Sequence, residues 1–103
     1  MSLINDGMET RQTAIFTKWL KSLKDKKVQS IIAYRLARVE AGLMGDVKSV
    51  GDGVSELRID FGPGYRVYFT KRGQKVIFLL NGGDKASQQR DIAKAKEMAA
   101  QIP

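Results

Sequence analysis

The chain contains no cysteine and no histidine. The first absence excludes disulfides, thiolate metal sites, iron–sulfur clusters and a cysteine nucleophile. The second removes the commonest general base and the commonest zinc ligand, and with them any serine–histidine triad. Long apolar runs are missing too: none approaches the roughly 20 residues that cross a bilayer. No basic segment followed by an apolar one opens the sequence, so no leader is read and the chain is expected in the cytoplasm, away from membranes. Acidic residues are scarce. Eleven Asp and Glu face eighteen Lys and Arg, a formal net charge of +7 in 103 residues. Such an excess attracts polyanions, or an acidic protein partner.

The length fits one domain with one modest core. Residues 1–10 show no periodicity and carry the turn signal Asn5-Asp6-Gly7, so they read as a flexible tail before a single domain at 11–103. A short opening strand is weakly indicated over 11–14. Phe16, Trp19, Leu20 and Leu23 then fall at i, i+3, i+4 and i+7, one apolar helical stripe. Val28, Ile31, Ile32, Leu36 and Val39 form a second stripe, with Asp25 a plausible N-cap and Gly42 a stop. These elements suggest an αα hairpin lying on something else.

The period changes in the second half, after the break at Gly51-Asp52-Gly53. Leu57, Ile59 and Phe61 alternate with Glu56, Arg58 and Asp60, as in a half-buried strand. Gly62-Pro63-Gly64 is a turn, expected to place Pro63 at i+1 and Gly64 at i+2. Tyr65, Val67 and Phe69 alternate with Arg66 and Tyr68. A second turn follows at 71–74, then a strand at 75–80 apolar enough to be covered on both faces. A last helix places Ile92, Ala95, Met98 and Ala99 on one side. The expected fold is therefore α+β, an N-terminal αα hairpin on a three- to four-stranded antiparallel sheet with a C-terminal helix. Its expected core comprises Phe16, Trp19, Leu20, Ile31, Leu36, Leu57, Ile59, Val67, Phe69, Phe78 and Ile92.

Side chains two apart on a strand share a face, so antiparallel pairing should gather Arg58, Arg66 and Tyr68 on one surface. Two guanidiniums there can fork a phosphate, while Tyr68 offers a ring for stacking and a hydroxyl. The plainer alternative is a solvated face with Arg66 paired to Asp60 or Glu56. Lys85 follows Gly82 and Gly83 at a helix start, where backbone N–H groups attract anions. The spacing is not that of a P-loop. Asp52, Glu56, Asp60 and Asp84 lack metal-ligand spacing, so neither a metal nor another cofactor is expected.

Four strings carry a resemblance: Leu57-Arg58-Ile59, then Gly62-Pro63-Gly64-Tyr65-Arg66-Val67-Tyr68-Phe69, then Leu79-Leu80-Asn81-Gly82-Gly83-Asp84-Lys85, then Gln88-Gln89-Arg90-Asp91-Ile92 with Ala95. Together they resemble the HigB-like addiction-module toxins of the RelE/ParE superfamily, in its phage-associated branch, over residues 8–101. The resemblance implies a toxin that cleaves messenger RNA, usually on the ribosome, and a cognate helix-turn-helix antitoxin as partner. It carries catalytic roles onto Arg66, Arg58 and Lys85, to which the strand pattern adds Tyr68. Lys71, Arg72, Arg90 and Lys48 are assigned to RNA contacts. The chain departs from RelE-type members, which have two lysines where it has Glu56 and Arg58. They also carry a tyrosine in the last helix, where this chain has Gln89, Arg90 and Asp91. Some HigB-type members use a histidine, which is missing here.

Arginine does not deprotonate in proteins, so Arg58 and Arg66 can only stabilise charge. Base and acid must come from Lys85, Lys71, Tyr68 or a carboxylate such as Asp60. Two other activities remain open at this level. ParE-like relatives are implied to inhibit DNA gyrase by binding, and a degenerate member would bind only its antitoxin and operator DNA.

Overall fold

A computed structural model describes residues 8–103. Its elements run β1 (Glu9–Gln12), α1 (Ala14–Ser22), α2 (Lys26–Glu40), β2 (Val47–Gly51), β3 (Val54–Ile59), β4 (Tyr65–Arg72), β5 (Val76–Gly83) and α3 (Gln88–Ala100), with one 3-10 turn at Lys85–Ser87. The sheet has five strands in the order β1-β5-β4-β3-β2. β1 pairs with β5 in parallel, and the other neighbours are antiparallel.

The α+β class stands, but two parts of the expected architecture are corrected. The opening strand indicated over 11–14 lies at Glu9–Gln12 and pairs in parallel, which makes the sheet mixed, and α1 seats on β5 instead of forming a clear hairpin with α2. β1 also begins inside the stretch read as a tail: Glu9 and Thr10 pair with Val76 and Ile77. The remainder of that tail, residues 1–7, lies outside the described residues, as does its turn signal. β2 forms the far edge of the sheet. It is joined to β3 through Asp52 and Gly53, both at positive φ, as a two-residue hairpin of primed type requires.

The helix ends follow the local chemistry. Thr13 caps α1 by accepting from the Phe16 amide at 3.0 Å, and Asp25 caps α2 by accepting from Lys27 N at 2.9 Å. Gly42 ends α2 at φ 86°. The turn between β3 and β4 sits one residue earlier than expected. Gly64 N donates to Phe61 O at 3.1 Å, so Gly62 occupies the first central position, at φ 56°, and Pro63 the second.

Both faces of the sheet are covered. On one, Leu57, Ile59, Val67, Phe69, Ile77 and Leu79 pack with Phe16, Val28, Ile32, Leu36 and Val39 from the first two helices. On the other, Val54, Tyr68 and Leu80 pack with Ala95 and Ala99 of α3. Of the expected core, Trp19, Leu20, Ile31, Phe78 and Ile92 are only partly buried, at the margins of these clusters. A bulge lets Tyr68 pair with Asn81 while Phe69 pairs with Leu79. Leu80 is thereby an extra residue on β5, and it joins Asn81 on the α3 side. Trp19 lies across Gly82 so closely that a Cβ there would collide with its ring. Only glycine lets α1 sit this near the sheet.

Candidate active site

The α3 side of the sheet changes character along the strands. Register aligns Val54 with Thr70 and Phe78, then Glu56 with Tyr68 and Asn81, then Arg58 with Arg66 and Gly83. The first row is packed beneath the last turns of α3. The last row opens into a cleft of about 420 Å³ lined by Asp46, Arg58, Ile59, Asp60, Gly62, Pro63, Gly64, Arg66 and Lys85. The loop at 62–64 and the turn after β5 meet here: a Cβ on Gly64 would touch the Cβ of Lys85 at 3.6 Å.

Glu56 lies between the two regions. Its side chain is 1% exposed, and an ionised carboxylate at such depth requires partners. It has three. Arg66 Nη1 donates to Oε1 at 3.1 Å, Arg58 Nε stands 3.3 Å from the same oxygen, and Gln88 Nε2 donates to Oε2 at 2.8 Å. Of the two alternatives left by the sequence, Arg66 pairs with Glu56. The Arg58 contact lacks hydrogen-bonding geometry, and the Nε–H groups of both arginines find no acceptor among the described residues. The guanidiniums are therefore held but not saturated. Arg66 is the more enclosed, 11% exposed against 38% for Arg58.

Secondary elements support this arrangement from two sides. From α2, Arg35 donates to Arg58 O and Met44 O, both at 3.2 Å, which fixes the end of β3 against the segment bearing Asp46. From α3, Asn81 Nδ2 donates to Asp91 O at 3.1 Å. Asp84 caps the turn before α3, accepting from Ala86 N at 2.9 Å and Ser87 N at 3.2 Å. Ser87 also donates to Asp91. Those two side chains occupy the space a Cβ on Gly83 would need, so the start of α3 can lie directly on β5.

The structure thus brings Arg58, Arg66 and Lys85 into one cleft but withdraws Tyr68. Tyr68 is fully buried under α3 and offers no ring for stacking. Its hydroxyl sits beside the Glu56 carboxylate without a hydrogen bond of ordinary geometry. Burial pushes the phenol well above its usual range, reinforced by the negative charges of Glu56 and Asp91 and only partly opposed by Arg66. Tyr68 is a core residue, neither base nor platform. The period-2 reading placed it on the correct side but could not see that α3 covers that side.

The expected RNA contacts divide. Lys48 is exposed on β2 and pairs in register with Glu56, and Arg90 is 82% exposed near the start of α3. Both lie at the cleft's end of the domain. Lys71 and Arg72 do not. Lys71 is exposed at the far end of β4, and alternation directs it to the opposite face from Arg66. Arg72 closes the last turn of α3, donating through Nη2 to Ala99 O at 2.9 Å and Ile102 O at 3.4 Å. This is a cation satisfying C-terminal helix carbonyls. Asp46 and Gln88 are not legible as site residues in the sequence. The first lies in a loop with no pattern, and the role of the second depends on where α3 docks.

No helix among the described residues is long and apolar enough to cross a membrane. A family model described as "Phage derived protein Gp49-like (DUF891)" matches residues 18–101. A Haemophilus influenzae protein, itself described only as uncharacterized, is 42% identical over 95 residues, covering 92% of this chain and 96% of that protein. By that family match, which spans most of its length, the chain belongs to the phage-derived Gp49-like family.

Proposed function

We propose that the protein is the toxin of a type II toxin–antitoxin module, an endoribonuclease that cleaves messenger RNA on the ribosome using side chains alone. The observation that carries this reading is the convergence of Arg58, Arg66 and Lys85 on a single cleft. The +7 net charge and the exposed Lys48 and Arg90 extend the basic surface around it.

The chemistry is a transesterification within the substrate. The 2′-oxygen attacks the adjacent phosphorus, the bond to the 5′-oxygen breaks, and a 2′,3′-cyclic phosphate and a 5′-hydroxyl result. Arg66 and Arg58 offset the charge that builds on the phosphorane oxygens. With Tyr68 and Lys71 outside the cleft, proton transfer falls to Asp60, Asp46 and Lys85. At neutral pH a carboxylate is ready to accept a proton and an ammonium ready to give one. Asp60 or Asp46 is accordingly the base for the 2′-hydroxyl, and Lys85 the acid for the 5′-oxygen. An aspartate is a weak base, so substrate aligned by the ribosome would supply orientation worth several kcal/mol.

The partner reading rests on the family resemblance and the charge. A cognate helix-turn-helix antitoxin with an acidic segment complements a +7 toxin. Induction of the protein, with sequencing of RNA 5′ ends and a parallel DNA-relaxation assay with gyrase, tests the function. New 5′-hydroxyl ends within coding regions are expected. Growth arrest with intact RNA and inhibited gyrase would replace this reading with the ParE-like one.

A further inference from the structure

We propose that Glu56 is the positioning residue of the cleft, its buried carboxylate holding Arg58 and Arg66 side by side against their mutual repulsion so that both bear on one phosphate. The inference rests on the cleavage reading of this cleft and adds to it a residue that never touches substrate.

Arg58 and Arg66 are direct partners across the β3–β4 ladder, and like charges in that position destabilise each other. The observed arrangement therefore needs a counter-charge between them. Glu56 supplies it from two residues along β3, with Oε1 shared by both guanidiniums and Oε2 taken up by Gln88. Because Gln88 is the first residue of α3, the same carboxylate ties the helix to the cleft. Its own burial keeps it from an incoming phosphate, which it would repel. With one carboxylate against two guanidiniums, the triad retains a single net positive charge, matched to one phosphodiester.

This arrangement separates binding from turnover. Glu56→Gln keeps the size of the side chain and an acceptor for Arg66 but removes the counter-charge. The cleft then becomes more cationic while Arg58, the more exposed arginine, is released. The variant is expected to bind a 2′-deoxy-substituted, uncleavable oligonucleotide at least as tightly as the parent. Its cleavage of the matching RNA should be slower by roughly 100–1,000-fold, the scale of losing one fixed charge-stabilising donor. Unchanged cleavage would overturn the proposal, as would binding and turnover lost together, which is the signature of simple structural damage.

Glu56→Asp provides a second arm should the glutamine variant fail to fold. It retains the charge but withdraws it by one methylene, and should bind the oligonucleotide like the parent while cleaving more slowly. Equal cleavage by this variant also counts against the proposal. A third arm needs no cleavage at all. Relaxation of the Arg58 Nε–Hε group should show an ordered side chain in the parent and a mobile one in Glu56→Gln, and equal order in both would overturn the hold. An ordered parent, a mobile variant and no RNA cleavage would instead leave Glu56 in its role and defeat only the ribonuclease reading.

Discussion

Arg66 and Glu56 form an ion pair at 3.1 Å on the α3 side of the sheet, with the carboxylate almost completely removed from solvent. The pairing makes Arg66 both a candidate for charge stabilisation and a structural element. A surface arginine on a half-buried strand would be only the first.

Arg66→Ala should therefore abolish toxicity and also weaken the fold. The substitution strips a buried carboxylate of its best partner, which costs roughly 2–4 kcal/mol even with Gln88 and Arg58 remaining. Thermal denaturation beside growth inhibition measures both effects. Arg58→Ala is the cleaner probe, since its side chain is more exposed, and it should lose activity with less than about 1 kcal/mol of stability. A fully toxic Arg58→Ala protein of normal stability would remove the cleft from the mechanism. Arg66→Lys should restore stability better than activity, because an ammonium cannot reproduce a bidentate fork.

Tyr68→Phe should leave toxicity intact, since the hydroxyl is buried and makes no ordinary hydrogen bond. At neutral pH its stability should equal or slightly exceed the parent's. The alkaline side separates the two proteins. The folded-state phenol is raised above the unfolded value of about 10. The stability linked to its protonated form is thus complete below that pH and is lost as pH rises beyond it, because only the unfolded chain readily ionises. Denaturant unfolding between pH 7 and 11 should show a shallower decline for Tyr68→Phe. Identical curves would contradict the burial of Tyr68.

Arg72→Ala and Lys48→Ala should behave as opposites. Losing Arg72 removes a charged donor from Ala99 O, which keeps the Ile102 amide, and from Ile102 O just beyond α3, at a cost of roughly 1–3 kcal/mol. RNA affinity at a temperature where the variant is folded should be unchanged. Lys48→Ala should leave stability within about 0.5 kcal/mol and reduce the salt dependence of RNA binding by roughly one phosphate contact. Titrations of an uncleavable RNA at several salt concentrations provide the comparison.

Gly82→Ala should destabilise the protein by roughly 1–3 kcal/mol, because the new methyl would collide with the Trp19 ring. Trp19 fluorescence should shift as the ring is displaced. A Gly82→Ala protein with parental stability and spectrum would mean that α1 sits higher on β5 than described.

The parts of the fold legible in the sequence were those written as period. The helical stripes ending in Leu23 and Val39, and the alternation through Leu57–Ile59 and Val67–Phe69, each determine which side of an element meets the core. β2 escaped because its alternation is short and broken by a bulge between Ser49 and Gly51. β1 was legible only in part, indicated over 11–14 where it runs Glu9–Gln12, because a four-residue edge strand with no buried residue carries almost no pattern. The site was half legible for the same reason. Alternation correctly grouped Glu56, Arg58, Arg66 and Tyr68 on one face. It could not say that α3 covers the Tyr68 end and leaves the Arg58 end open. That division depends on Gly83 and the Leu80 bulge, which let the helix start close over β5, and on Arg72, which holds its other end.

The parallel pairing of the first strand with the fifth also bears on synthesis. Thr13 donates to Leu80 O across 67 residues of chain, and Gln88 reaches the buried carboxylate only after β5 is in place. A nascent chain stalled before these positions has most of its cationic residues but neither a closed sheet nor an ordered pair of guanidiniums. Contacts across that much sequence must wait until β5 has been made. On the proposed reading, an incomplete chain accordingly carries no competent cleft. Fragments that end before β5 should therefore show none of the activity proposed for the whole protein.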